Sequence, residues 1–252
     1  MLERVGFAGE LDLVGYSDNV WRGVDFRDLA MRPNYGTYEW DHFTNPAVTL
    51  TGRSTTTNAT SGTLAHNNEA NGVVRISTGA ATDGQGVTSC QFAQSSTGAH
   101  RHYVPSVGRM CFEARVKLGG AGTPGAWFVG VAPTNTSIVS GATPAITTST
   151  QYIGFYGLDS LTITGQSRKS SSVTANTATL GSLVDSTWIK LGIVIENAAK
   201  ARLYVNGELK DTLATNIHDG FVIPTFGLIA AGSVTSTLDI DWYGLACVNL
   251  IQ

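Results

Sequence analysis

Between residues 109 and 118 apolar and mostly polar side chains alternate: Met110, Phe112, Ala114, Val116 and Leu118 are apolar, with Cys111, Glu113, Arg115 and Lys117 between them. A period of two sends successive side chains to opposite faces, so this segment predicts a strand with one face on a core and one wet face. Comparable runs predict strands at residues 72–77, 86–93, 126–132, 151–157, 187–195, 201–205, 221–231 and 235–248. Trp188, Leu191, Ile193 and Ile195 lead through a turn at residues 196–200 into Ala201, Leu203 and Val205. Asn206-Gly207 then reads as a tight hairpin, because Asn-Gly supplies the two positive φ angles of a type I′ turn. In the last strand Leu238, Ile240 and Trp242 are expected on one face and Asp239 and Asp241 on the other. Short alternating strands separated by turn residues predict an all-β chain, two antiparallel sheets stacked face to face, with no internal repeat of solenoid or propeller length.

The first part of the chain has a different texture. Residues 1–37 carry Val5, Phe7, Leu11, Leu13, Val20, Trp21 and Phe26 without a helical or alternating period. The expectation is an extended N-terminal arm over residues 1–37, lying on its own sandwich or on a neighbouring subunit, and a sandwich over residues 38–252. Residues 51–72 are small and polar, which reads as a long loop or irregular hairpin and a candidate contact region.

At 252 residues the chain can bury a full core as one domain. Only 14% of it is charged and it holds 29 glycines, a balance that favours strands and turns over charged helices. A net charge of −3 provides no field for nucleic acid or an anionic membrane, so neither is an expected partner. Glu3, Arg4, Glu10 and Asp12 interrupt the apolar stretch that a signal peptide would need, and no later run has the length of a membrane span. A soluble protein made in a cytoplasm is expected. Cys90, Cys111 and Cys247 lack metal-site spacing and read as buried, reduced, small apolar side chains.

The run WIKLGIVIENAAKARLYVNGE at residues 188–208 resembles the strand, turn, strand and Asn-Gly unit of concanavalin A-like jelly rolls, the group that includes laminin-G-like domains. The closing STLDIDWYGLACV is similar to the last strand of that group. The segments GVVRISTGAATDGQGVTSCQF, RMCFEARVKL, WFVGVAPTNT and YIGFYGLDS, in that order, resemble jelly-roll structural proteins of tailed bacteriophages. The resemblance covers residues 38–250. It implies a concanavalin A-like jelly-roll sandwich in a virion structural protein made in host cytoplasm. The expected role is decorating and stabilising the capsid, with the major capsid protein as partner and a homo-oligomer, a trimer, as assembly. The alternative is a glycan-binding module of a tail fibre or surface appendage.

Candidate chemistry is sparse. Glycosidases of this fold need two carboxylates flanking the scissile bond in a Glu-x-Asp-x-Glu strand, which is absent. Asp239 and Asp241 are the nearest approximation, and they read as the polar outer face of the last strand. His100 and His102 fall on one side of an extended segment, with His66 and His42 as further imidazoles, but no convergent third ligand follows. Loops 81–86 and 217–220 each hold one acidic residue, which suits Asp-Gly turn chemistry better than a calcium site. Trp127 and Trp188 read as core, and Trp21 and Trp40 as anchors near the arm. Neither GxSxG nor GxxxxGK[ST] occurs. The expected catalytic, cofactor-binding and metal sets are therefore empty, and the chain is expected not to be an enzyme.

Overall fold

A computed structural model describes residues 15–32, 35–44, 54–67, 72–79, 84–92, 104–105, 108–120, 125–133, 137–140, 145–147, 151–170, 176–230 and 235–248. In chain order these form two short helices, α1 (Asp18–Trp21) and α2 (Phe26–Met31), and then seventeen strands. The first nine strands are β1 (Gly36–Asp41), β2 (Ser54–Thr60), β3 (Thr63–Asn67), β4 (Val73–Ser77), β5 (Gly86–Phe92), β6 (Arg109–Gly120), β7 (Ala126–Ala132), β8 (Val139–Ser140) and β9 (Ala145–Ile146). The rest are β10 (Tyr152–Leu158), β11 (Thr162–Arg168), β12 (Asn176–Ser182), β13 (Trp188–Glu196), β14 (Lys200–Val205), β15 (Glu208–Leu213), β16 (Ile223–Ile229) and β17 (Ser236–Val248).

Fifteen of the strands form two antiparallel sheets, and β8 and β9 pair with each other as a separate two-stranded ribbon. The first runs β15-β14-β13-β6-β17-β4-β3, with β1 added to the far half of β17 beyond β4; the second runs β12-β11-β10-β7-β16-β5-β2. Two kinds of connection build them. The pairs β2 and β3, β4 and β5, β6 and β7, and β16 and β17 each cross from one sheet to the other, whereas β10-β11-β12 and β13-β14-β15 stay in one sheet as meanders. Crossing connections of this kind make a jelly-roll sandwich, so the observed fold is the two-sheet antiparallel sandwich expected from the alternating strands and the jelly roll that the resemblance implies.

Between the sheets lies one core in which Met110, Phe112, Ala114, Val116 and Leu118 meet Trp127, Val129 and Val131 of β7 and Phe226 and Leu228 of β16. All nine long strands read from the sequence are present. The Asn206-Gly207 turn has φ of +52° and +78°, the two left-handed positions expected.

Four expectations are corrected. The polar stretch 51–72 contains β2 and β3, which are not a hairpin: each pairs within a different sheet, as an edge strand, where few apolar residues are required. The supposedly wet face of β6 is dry at Cys111 and Glu113, both fully buried. The segment that covers them belongs to the expected arm, which is not extended throughout: it holds α1 and α2, and the expected boundary at 37/38 falls inside β1. Finally, β17 has a bulge between Ile240 and Trp242. The extra residue reverses the phase, so Leu238 and Ile240 face the inter-sheet core and are followed there by Tyr243, Leu245 and Cys247, while Trp242 lies on the outer face.

Candidate functional site

The outer face of the first sheet is where the N-terminal segment docks. On three neighbouring strands Gly192, Glu113 and Gly244 stand in register, giving a floor with a carboxylate between two bare backbone positions. A Cβ on Gly192 would lie 2.6 Å from Val20 Cγ2, and one on Gly244 2.1 Å from Trp40 Cζ3, so the side chains of α1 and β1 occupy the space the sheet leaves empty.

The carboxylate supplies direction. Glu113 Oε2 accepts hydrogen bonds from Ser17 N at 3.0 Å and Trp21 Nε1 at 2.7 Å. Burial pushes the Glu113 carboxyl above its ordinary range, while the Ser17 and Trp21 hydrogen bonds and the Lys190 charge pull it back. Outside this pair of donors, Lys190 Nζ donates to Gly15 O at 2.9 Å and Asn19 Nδ2 to Gly207 O at 2.8 Å. The Arg109 guanidinium donates to the carbonyls of Val20 and Arg22 at the end of α1, where a cation meets the exposed carbonyls of a helix terminus. Asp25 accepts from Asp28 N at 3.0 Å and caps α2.

Docking assembles aromatic rings. Tyr16 from the segment before α1, Phe26 of α2, and Tyr38 and Trp40 of β1 line an open depression of about 210 Å3. Tyr16 and Trp40 have ring centroids 4.2 Å apart, Phe26 and Trp40 5.2 Å, and Phe26 and Tyr38 6.3 Å. Trp242, turned outward by the bulge, meets Tyr16 edge-on at 4.3 Å. Phe26, Tyr38 and Trp40 are half-buried, so each keeps part of its ring at the surface. At the polar end Tyr16 Oη is in hydrogen-bond contact with His42 Nε2 at 2.7 Å. Burial, and then the charges of Glu113 and Asp241, hold the Tyr16 hydroxyl neutral far above neutral pH.

Farther along the same face, charges from three strands converge. Asp239, 1% exposed, accepts from Arg75 Nε at 2.6 Å and Nη2 at 2.8 Å, and pairs with Lys117 Nζ at 3.3 Å. Asp241 pairs with Arg115. The Arg115 guanidinium and the Lys117 ammonium stand 4.7 and 4.6 Å from the Trp188 ring centre, within cation–π range. Asp239 and Asp241 are therefore buried ion-pair partners, not a solvated polar face. Of the tryptophans read as core, Trp127 is core and Trp188 is a half-exposed cation platform. Trp21, read as an anchor, is buried within its own chain, and Trp40 lines the depression.

The remaining candidates divide. His42 joins the aromatic depression and His66 lies on β3, an edge strand; His100 and His102 fall outside the described residues. Among the described residues no group of three or more potential metal ligands converges. Asp219 of the 217–220 loop pairs with Lys169 at 2.8 Å, and Asp83 of the other loop lies outside the described residues. Cys90 and Cys247 are in the inter-sheet core and Cys111 is under α1, all buried and free of disulfides. Sequence reasoning did not single out Tyr16, Phe26, Tyr38 or Glu113. The signal available was the density of aromatics in residues 16–43 together with a Glu opposite Gly192 and Gly244.

No protein-family model and no curated protein matches this chain. Among solved structures it is similar to a protein of unknown function from Shewanella oneidensis MR-1, with a TM-score of 0.57, 12% identity, and 99% of this chain and 97% of that one covered. It is also similar to alginate lyase A1-II′, a member of polysaccharide lyase family 7: TM-score 0.51, 8% identity, 73% of this chain and 84% of that one. A weaker likeness, at a TM-score of 0.48 and 8% identity over 87% of this chain and 45% of the other, is to botulinum neurotoxin type C, whose cell entry depends on interaction with two ganglioside molecules.

These likenesses are of fold. The likeness to the alginate lyase overturns the expectation that the chain is not an enzyme, because that expectation was drawn from missing hydrolase motifs and a polysaccharide lyase is built on the same sandwich. Absence of a Glu-x-Asp-x-Glu strand excludes one chemistry on this fold and leaves others open.

Proposed function

We propose that the protein is a saccharide-binding jelly-roll domain whose contact surface is the aromatic depression of Tyr16, Phe26, Tyr38 and Trp40. The observation that supports this reading is the geometry of the depression. It is open and aromatic-walled, with the hydrogen-bonded Tyr16 hydroxyl and His42 ring at its polar end. A sugar ring has one face of C–H groups and a rim of hydroxyls. The first packs on aromatic ring faces, and the second needs a few fixed polar groups, the usual division of labour in a ligand site. The alginate lyase and ganglioside-binding likenesses are compatible with a glycan as ligand and identify none.

Such a module suits a tail fibre or surface appendage, the alternative setting expected from the sequence. No observation favours capsid decoration, contact with a major capsid protein or a virion location, and the proposal does without them. The test is a glycan array followed by titration calorimetry on each hit, with wild-type protein, Tyr38→Ala and Phe26→Ala. Binding weakened at least tenfold by either substitution, in protein with unchanged far-ultraviolet circular dichroism and a cooperative urea transition, supports the reading. Hits insensitive to both, or an array without hits, overturn it.

A further inference from the structure

Beyond the aromatic depression the outer face of the first sheet carries charge, in rows set by strand register. One row runs Trp188, Lys117, Asp239 and Arg75 across β13, β6, β17 and β4. The next holds Lys190, Arg115 and Trp242, with Asp241 as the extra residue of the bulge. The third is Gly192, Glu113 and Gly244, continued by Trp40 of β1. Same-face rows are about 7 Å apart, so the Trp188 row lies about 14 Å from the row that ends at Trp40. The middle row joins the two: Trp242 meets Tyr16 of the depression, and Lys190 donates to the carbonyl of Gly15 beside it.

These charges are sorted by depth. The carboxylates are sunk: the side chains of Asp239 and Asp241 are 1% and 12% exposed, and Glu113 is fully buried. The side chains of Arg75 and Arg115 above them are 36% and 37% exposed, and Lys117 and Lys190 are half-buried. Among the described residues, then, four cations stand over three carboxylates in a chain of net charge −3, and it is the cations that reach the surface. The arrangement is not the one stability alone selects. Arg115 stands directly opposite Lys190 in the register, where like charges are destabilising, and Asp239 takes Lys117 although Arg75 already bonds both its oxygens. The carboxylates below and the Trp188 ring hold Arg115 and Lys117 in place, so little side-chain ordering remains for a ligand to impose.

We propose that the saccharide of the depression is acidic: an oligosaccharide with one ring on Tyr38 and Trp40 and its carboxylates or sulfates over Arg115, Lys117 and Arg75. The proposal rests on the reading of the depression as a saccharide surface, and adds the charge of the ligand and the direction in which it runs, along β6 toward Trp188. Guanidinium forks and an ammonium group bond anionic oxygens by charge-assisted hydrogen bonds. A cluster of one sign also draws an oppositely charged ligand toward the face, an attraction that a neutral glycan leaves unused.

The experiment is titration calorimetry of the full chain with four probes: an oligouronate, a sulfated oligosaccharide, a neutral oligosaccharide of the same length, and polyglutamate. Wild type, Lys117→Gln, Arg115→Gln and Tyr38→Ala are compared, each checked for fold by far-ultraviolet circular dichroism and a cooperative urea transition. The expected result is that the oligouronate or the sulfated probe binds about tenfold or more tightly than the neutral one at low salt, and that the advantage shrinks as salt is raised to about 0.5 M. Lys117→Gln, which leaves Asp239 its contact with Arg75, should remove about threefold or more of the affinity for the acidic probe and none of that for the neutral one. Arg115→Gln should act in the same direction, and Tyr38→Ala should weaken both. A neutral probe bound as tightly as the acidic ones, an acidic probe indifferent to salt and to both basic-row variants, or polyglutamate bound as tightly as either acidic saccharide overturns the proposal and leaves the saccharide reading standing. Binding of none of the three saccharides overturns that reading and the proposal with it.

Discussion

Trp21→Phe probes whether Glu113 holds the N-terminal segment as a charged acceptor. Trp21 is buried and donates its indole N–H to Glu113 Oε2 at 2.7 Å; the ring also lies 4.5 Å from Trp40 and 5.7 Å from Phe26. Phenylalanine keeps most of the ring and removes the donor. A hydrogen bond to a charged group contributes about 1.5–3 kcal/mol, and the space left by the smaller ring costs about 1 kcal/mol more, for a total loss of about 2.5–4 kcal/mol at neutral pH. In a Glu113→Gln background the acceptor is neutral, the hydrogen bond contributes about 0.5–1.5 kcal/mol, and the same substitution costs about 1.5–2.5 kcal/mol. The two substitutions should therefore be coupled by about 1–1.5 kcal/mol.

The pH dependence has a definite sign. Burial raises the Glu113 carboxyl above its ordinary 4.5, so the folded chain holds that proton more tightly than the unfolded chain does. Stability relative to Glu113→Gln is then greatest at low pH and falls as pH rises from about 4.5 through the raised folded value. Trp21→Phe removes a donor to the charged form, pushes the carboxyl higher still and steepens this fall. Urea unfolding of the four proteins of the cycle, at pH values from 4 to 8, measures both effects. A Trp21→Phe cost that is the same at low and neutral pH and the same in the Glu113→Gln background would refute the account of Glu113 as a buried charged latch.

Other consequences follow from the same contacts. Gly244→Ala places a Cβ 2.1 Å from Trp40 Cζ3, so Trp40 should be displaced at a cost of about 1–3 kcal/mol, read as a shifted tryptophan emission and a lowered urea midpoint. Asp239→Asn breaks the paired contact with Arg75 and the link to Lys117; because the Arg75 side chain is 36% exposed, the loss should be about 1–3 kcal/mol, below that of a fully buried pair. Gly207→Ala, at φ +78°, should cost about 1 kcal/mol in thermal or urea unfolding. The Cys111 and Cys247 thiols, pushed up to about 12 by burial, should react slowly with a thiol reagent, Cys247 only as fast as the sandwich opens and Cys111 only as fast as the N-terminal segment undocks.

The sequence showed the sandwich more fully than it showed the outer faces, for a physical reason. Inter-sheet positions repeat every second residue and must be apolar, so the strands from Val73 to Val248 carry their own signature. Edge strands carry less: β2, β3, β12 and β15 need few apolar residues, and TTTNAT or ELKDTL does not differ in pattern from a loop. The bulge in β17 was visible in principle. Leu238 and Ile240 are in one phase and Tyr243, Leu245 and Cys247 in the other, and a single strand can satisfy both only with an extra residue between them.

Glu113 was legible as a residue of a strand and not as a site, because its chemistry depends on what covers it. In an alternating strand a Glu reads as solvent-facing. Here the first sheet has glycine on either side of it, Val20 of α1 and Trp40 of β1 fill the space those glycines leave, Trp21 donates to the carboxylate between them, and an outer face becomes an interior. The apolar side chains of residues 16–29 then have a partner, which is why a stretch without periodicity folds: its pattern is complementary to a surface, and neither half is readable alone. The same event puts Tyr16 and Phe26 beside Tyr38 and Trp40, so the depression exists only while the segment is seated on Glu113. Ligand binding at those rings and stability of the latch are accordingly linked, and a ligand that needs the seated form must raise the free energy of undocking by the full amount of its own binding.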